Sequence, residues 1–206
     1  MAFTRRTRTR STVMIALAML SAALLVDLGY QSLTASSSSA SPTLDTVRRL
    51  TGGHRALGVA DGRVPAGTTV FDDDVPAVAD LDGDLLDALR RAASDSGIRF
   101  EVSSGWRSKA YQAKLLRDAV SKYGSKAEAA RWVATPDTSP HVTGDAIDIA
   151  GTDAMVWLSN RGAAYGLCQV YDNEPWHYEL RPDAARDGCP PRYADPTQDP
   201  RMQGQG

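Results

Sequence analysis

Ser139-Pro-His-Val-Thr-Gly-Asp-Ala-Ile-Asp-Ile-Ala150 is the stretch on which the reading of this chain turns. Its second half, Asp145–Ala150 (DAIDIA), alternates as a strand does, with positions 146 and 148 on one face and 145, 147 and 149 on the other. Asp148 can therefore turn toward a site while Asp145 turns the opposite way. A carboxylate set among Ala146, Ile147 and Ile149 is hard to explain as surface decoration. Gly144 marks the turn before the strand, where φ > 0 or a close backbone approach is needed.

Outward from this strand, helical and extended patterns interleave. Leu85, Leu86, Leu89, Ala92 and Ala93 recur at helical spacing, and Gly97 is placed to end the helix. Ile98–Ser104 alternates like a strand. Ser108–Tyr123 reads as a second amphipathic helix with Ala113, Leu116, Ala119 and Val120 on one side. Ser125 and Glu128 form a capping-box pattern that opens a short third helix running through Trp132. Thr152–Tyr165 is a fourth helix closed by Gly166, and Leu167–Tyr171 and Trp176–Leu180 are further strands. With no βαβ regularity, the fold class is α+β, an antiparallel sheet flanked by helices.

The N-terminus is an address. MAFTRRTRTR carries four arginines and no acid, and Val13–Val26 is an apolar run. That is the shape of a secretory signal, and the run is short for a membrane crossing, although an uncleaved, tilted anchor over residues 1–35 stays open. Ser32–Thr43 is a Ser-rich stretch, and residues 36–80 read as the linker and an N-terminal extension, with a short strand at Thr68–Phe71 and Asp72–Asp74 as a solvated loop. Past Gly188 the chain is Pro-rich and polar, which predicts a flexible tail over 190–206.

Composition excludes some functions. The chain has 206 residues, 23 Lys+Arg against 25 Asp+Glu, and a net charge of -2. A general nucleic-acid binder needs a basic surface to displace counterions, so no nucleic-acid partner is expected. In an exported chain Cys168 and Cys189, the only cysteines, are available to pair with each other. The three histidines are His54, His141 and His177; His54 reads as a surface or turn residue.

The chemistry sits in three islands: Ser139–Asp148, Glu174-Pro-Trp-His177 and Ser104-Gly-Trp-Arg107. Zinc hydrolysis needs about three protein ligands with an open position, a carboxylate to move a proton, and a cation for the polarised carbonyl. Two histidines, two acids and an arginine supply that list. Other routes lack their motifs: no H-E-x-x-H, no S-x-x-K and no G-x-S-x-G is present.

S-P-H-V-T-G-D-A-I-D followed by N-E-P-W-H-Y, with S-G-W-R-S and Gln112 upstream, resembles the VanY-like D-alanyl-D-alanine carboxypeptidases. These zinc peptidases share a fold with the Hedgehog signalling domain. The resemblance runs from about Leu81 to Arg181 and implies a Hedgehog/DD-peptidase-like zinc peptidase domain, placed over 81–189. It implies that His141, Asp148 and His177 bind one zinc ion, that Glu174 is the general base, and that Arg107 stabilises the oxyanion or orients the substrate. Ser139 matches a serine beside the substrate and Gln112 a supporting polar position there. The expected activity is removal of the terminal D-alanine from peptidoglycan stem peptides at the cell envelope. An L,D- or cross-bridge endopeptidase and a D,D-dipeptidase are the alternatives within enzymes. A wall-binding protein with a structural metal is the alternative outside them. Membrane contact is expected only through the N-terminal segment, and nothing in the sequence speaks to oligomeric state.

Overall fold

A computed structural model describes residues 56–203. The expected signal or anchor, the Ser-rich linker and His54 lie outside the described residues. The helices are α1 (Pro76–Ala79), α2 (Gly83–Ser96), α3 (Lys109–Tyr123), α4 (Lys126–Ala130), α5 (Pro140–Thr143), α6 (Thr152–Arg161) and α7 (Ala184–Asp187). The strands are β1 (Glu101–Ser104), β2 (Ala146–Ala150), β3 (Leu167–Gln169) and β4 (His177–Leu180).

The helix ends follow local chemistry. Asp82 caps α2 by accepting from the backbone N–H groups of Asp84 and Leu85, and Gly97 closes it in the left-handed region. Ser108 caps α3 through Tyr111 N–H, and Ser125 caps α4 through Glu128 N–H. That third helix stops at Ala130, short of Trp132. The expected fourth helix is α6 followed by a tighter 3-10 turn, Gly162–Tyr165, before Gly166.

The sheet is antiparallel throughout, in the order β1-β2-β4-β3. Its strands are shorter than the alternation predicts, and Thr68–Phe71 contributes only an isolated bridge from Thr69 to Glu101. Strand periodicity divides the sheet into two faces. Val102, Ile147, Ile149 and Tyr178 join Leu85, Leu89, Ala154 and Leu158 in the core. Each fully buried leucine here is worth about 1.5–3 kcal/mol relative to exposure. Asp148, His177 and Glu179 occupy the other face.

Three expectations need correction. Of the four apolar positions on α3, only Ala119 is buried, and Gln112 is its buried companion. Leu116 and Val120 instead border an apolar depression with Val133, Pro196 and Met202. The described part of the N-terminal extension is built into the fold: Val70 and Val78 are fully buried, and Thr68 O accepts from Val102 N–H along the outer edge of β1. The segment after Gly188 is not a loose tail. Tyr193 bridges Tyr171, and Asp195, Pro196 and Asp199 are buried. Its polar residues pair with buried or half-buried charges of the domain, which is why a polar composition misled the reading. Cys168 and Cys189 are bridged as expected, tying the start of this segment to β3 with a Cα–Cα distance of 5.6 Å. Among the described residues, no helix is long and apolar enough to cross a membrane.

Candidate metal centre

Sheet pairing assembles the three islands. Ser104 is the register partner of Asp148, and Asp148 that of His177, across β1, β2 and β4. His141 arrives from α5, whose end is turned by Gly144 at φ 86°. A Cβ at Gly144 would lie 2.6 Å from Asp80 O, so backbone conformation and close approach both require glycine there.

His141, Asp148 and His177 are all buried, and one donor atom from each lies within 4.8 Å of the others. Nδ1 of His141 is 2.8 Å from Gly105 O, so it donates there and leaves Nε2 facing Asp148 Oδ1 at 3.4 Å. Nδ1 of His177 is 3.1 Å from the same oxygen. Ligands placed tetrahedrally at ~2.0–2.2 Å from one ion sit roughly 3.3–3.6 Å apart. Of the two observed separations, 3.4 Å falls within that spacing and 3.1 Å just below it, so the donor set fits one ion.

Arg107 borders the cavity, and its guanidinium is already tied to its neighbours. Its guanidinium donates to Ser104 Oγ at 2.7 Å, Gln112 Oε1 at 3.1 Å and Asp148 Oδ2 at 2.8 Å. Asp148 thus offers one oxygen to the histidines while Arg107 holds the other. Gln112 is engaged at both ends of its amide, since Nε2 donates to Ala134 O at 2.9 Å. Ser139 is buried at the N-cap of α5, where its hydroxyl makes no capping bond, and it lines the cavity.

Glu174 is also buried, with Oε2 3.9 Å from His177 Nδ1. The His–Asp–His group, Arg107, Gln112, Ser139 and Glu174 border one cavity of about 380 Å³, with Trp176 at its wall. Trp176 is 36% exposed. Trp106 is half-buried, its backbone N–H donating to Ala77 O.

The electrostatics follow from burial among charges. Burial pushes the Glu174 carboxyl up to about 7. Burial alone would raise Asp148, but the imidazoles of His141 and His177 and the Arg107 guanidinium hold it well below the carboxylate range. Burial and the nearby Arg107 charge lower His141. Burial opposes the charged form of His177, yet hydrogen bonds to Asp148 and Glu179 raise it to about 9.

Sequence reading missed Glu179. It is 1% exposed, lies 3.3 Å from His177 Nε2, and is paired with Arg181 and Arg201. The signal was available in part: two residues after His177 in a strand is the same face. Nothing local points to Arg201.

An α+β domain with a buried His–Asp–His group that can hold a metal ion defines the class. Residues 82–183 match the profile of the VanY D-alanyl-D-alanine carboxypeptidases, and the chain belongs to that family. A D-alanyl-D-alanine carboxypeptidase from Enterococcus faecalis is 32% identical over 120 residues, an alignment covering 46% of this chain and 43% of that protein. The chain thus spans less than half the length of the curated relative it matches. The vancomycin resistance D,D-pentapeptidase VanY, solved with Zn(II), is 29% identical over 48% of this chain and 72% of that one, with a TM-score of 0.44. The L,D-carboxypeptidase DacB of Streptococcus pneumoniae is 32% identical over 50% of this chain and 66% of that one, with a TM-score of 0.40.

Proposed function

We propose that this chain is an exported, zinc-dependent D,D-carboxypeptidase that removes the terminal D-alanine of peptidoglycan stem peptides. The observation that carries the reading is a second buried carboxylate, Glu174, on the same cavity as the His–Asp–His group and 3.9 Å from one of its imidazoles. A purely structural ion needs no such neighbour. Membership of the family supports the substrate class, and the Cys168–Cys189 bridge supports an extracytoplasmic setting. Residues 1–35 would direct export, as a cleaved signal or an anchor, and the zinc-peptidase motifs would lie within residues 81–189, with the packed segments on either side completing the catalytic unit.

Two imidazole nitrogens and one carboxylate oxygen suit zinc. When bound, zinc supplies a Lewis acid and brings the pKa of a coordinated water toward ~7. His141 would present Nε2 and His177 Nδ1, with Asp148 Oδ1 between them. Glu174 takes the proton of the attacking water and returns it to the departing D-alanine nitrogen. Arg107 holds Asp148 in place and sets a positive charge beside the developing oxyanion or the substrate carboxylate. Ser139 lies beside the substrate, and Gln112 steadies Arg107.

The test is incubation of the zinc-loaded protein with a pentapeptide ending in D-alanyl-D-alanine and a tetrapeptide ending in one D-alanine. Release of D-alanine from the pentapeptide is expected. Release from the tetrapeptide instead would assign L,D specificity. Release from neither, with one zinc bound, would reject the carboxypeptidase reading; cleavage of a cross-linked stem-peptide dimer or of free D-alanyl-D-alanine would then assign an endopeptidase or a dipeptidase, and cleavage of none of these would favour a wall-binding protein.

A further inference from the structure

We infer that the C-terminal segment 193–202 is a working part of the metal centre, with Glu179 and Arg201 as positioning residues that fix the ring of His177. The inference rests on the reading of His177 as a ligand given above. A histidine offers one nitrogen to an ion, and what the other nitrogen meets sets the tautomer and aims the ring. In this chain that other atom is Nε2, and it faces Glu179 Oε1 at 3.3 Å.

Glu179 lies on the site face of β4 and is 1% exposed. A carboxylate taken this far from water has to be compensated by charge and hydrogen bonds, or it leaves its position. Arg201 supplies two contacts, at 2.6 Å to Oε2 and 3.2 Å to Oε1, and Arg181 adds one at 2.8 Å. The two cations differ in origin. Arg181 follows directly on β4, whereas Arg201 comes from the segment beyond Gly188.

The same segment holds a second wall of His177. Asp199, fully buried, pairs with Arg201 and accepts from Tyr171 Oη at 3.0 Å. The Tyr171 ring lies 5.1 Å from the His177 ring, centroid to centroid. Two neighbours of one imidazole, Glu179 and Tyr171, are thus both held by the Asp199–Arg201 pair. The segment is anchored by backbone bonds between Tyr193 and the Val170–Asp172 stretch and by the pair Asp195–Arg131. The family match ends at residue 183, so segment 193–202 lies beyond the matched stretch.

The experiment compares zinc affinity, by competition with a chromophoric chelator, in the full chain and in Arg201→Met, Glu179→Met and Glu179→Gln. The d–d absorption of the cobalt(II)-loaded proteins is recorded beside it, because it reports ligand geometry rather than activity. Arg201→Met and Glu179→Met should each weaken zinc binding by about 10- to 100-fold and alter the cobalt spectrum. Glu179→Gln, which keeps an acceptor for Nε2–H, should recover part of the loss. Arg186→Met, which breaks an exposed pair remote from the site, should match the parent. Parent-like affinity and spectrum in folded Arg201→Met would overturn the inference. Arg201 is 43% exposed in its side chain, so that variant decides the matter even where Glu179→Met does not fold. A parent chain that binds no zinc would instead sink the ligand reading, and the inference with it.

Discussion

Asp148 and His177 are register partners across β2 and β4, and Asp148 Oδ1 lies 3.1 Å from His177 Nδ1. The same carboxylate receives Arg107 on its other oxygen, so one side chain ties three strands of chemistry together.

Asp148→Ala should therefore do two things. It should abolish stoichiometric zinc binding, read by elemental analysis. It should also destabilise the metal-free protein in urea by about 3–5 kcal/mol, because the half-buried Arg107 loses the carboxylate it is paired with among the described residues. Zinc retained at one per chain would remove Asp148 from the ligand set.

Glu174→Gln should keep zinc and lose about 10²- to 10⁴-fold in kcat, the range a positioned proton-transfer group supplies. Parent-like turnover in a zinc-loaded Glu174→Gln protein would remove the base from this position.

The metal-free protein should lose stability as pH rises. Glu174 and His177 both have folded-state values above their ordinary ones, so each stabilises below its ordinary value and that contribution disappears through the raised one. The windows run from 4.5 to about 7 for Glu174 and from 6.5 to about 9 for His177. Asp148 works in the opposite sense, its contribution lost only as pH falls well below the carboxylate range. Thermal unfolding of the metal-free chain should accordingly peak in mild acid. Glu174→Gln should flatten the lower window and raise Tm at pH 8 but not at pH 4.5, an effect of up to ~3 kcal/mol. An unchanged pH profile in that variant would show that Glu174 is not buried as described.

Gly144→Ala should be costly although it adds one methyl. The residue stands at φ 86°, and the new Cβ would meet the Asp80 carbonyl oxygen at 2.6 Å. Roughly 1–3 kcal/mol of backbone strain is expected, seen as a lower urea midpoint, before any clash is relieved. His141 sits three residues upstream in the same short helix, so zinc affinity should fall together with stability.

Reduction of Cys168–Cys189, or Cys168→Ser with Cys189→Ser, should lower stability. The bridge joins residues 21 apart, and closing such a loop is worth ~3 kcal/mol in the chain-entropy model. A Tm that does not change under reductant would contradict this.

Much of the fold was legible from local chemistry. The leucine spacing of α2 and its stop at Gly97, the Ser125 cap, and the two faces of DAIDIA all describe physics confined to a few neighbouring residues. The same holds for His141, Asp148, Glu174 and His177, whose motif spacing is a local pattern. What stayed hidden depended on distant partners. Arg107 reads as a cation near a substrate, yet only the sheet register reveals that it also donates to Ser104, Gln112 and Asp148. Residues 56–80 look like extension because their buried valines are scattered among turns. The segment after Gly188 looks like tail because Asp199 and Arg201 are polar, and polarity means solvent unless a partner elsewhere in the chain answers it.

The placement of Asp148 between Ile147 and Ile149 makes β2 its own proofreader. If the strand slipped by one residue, an ionised group would enter the oil of the interior and an isoleucine would be stranded among imidazoles. Such a misfolded copy would forfeit cohesion and ion capture in the same stroke, so it could not persist as a stable but inert impostor.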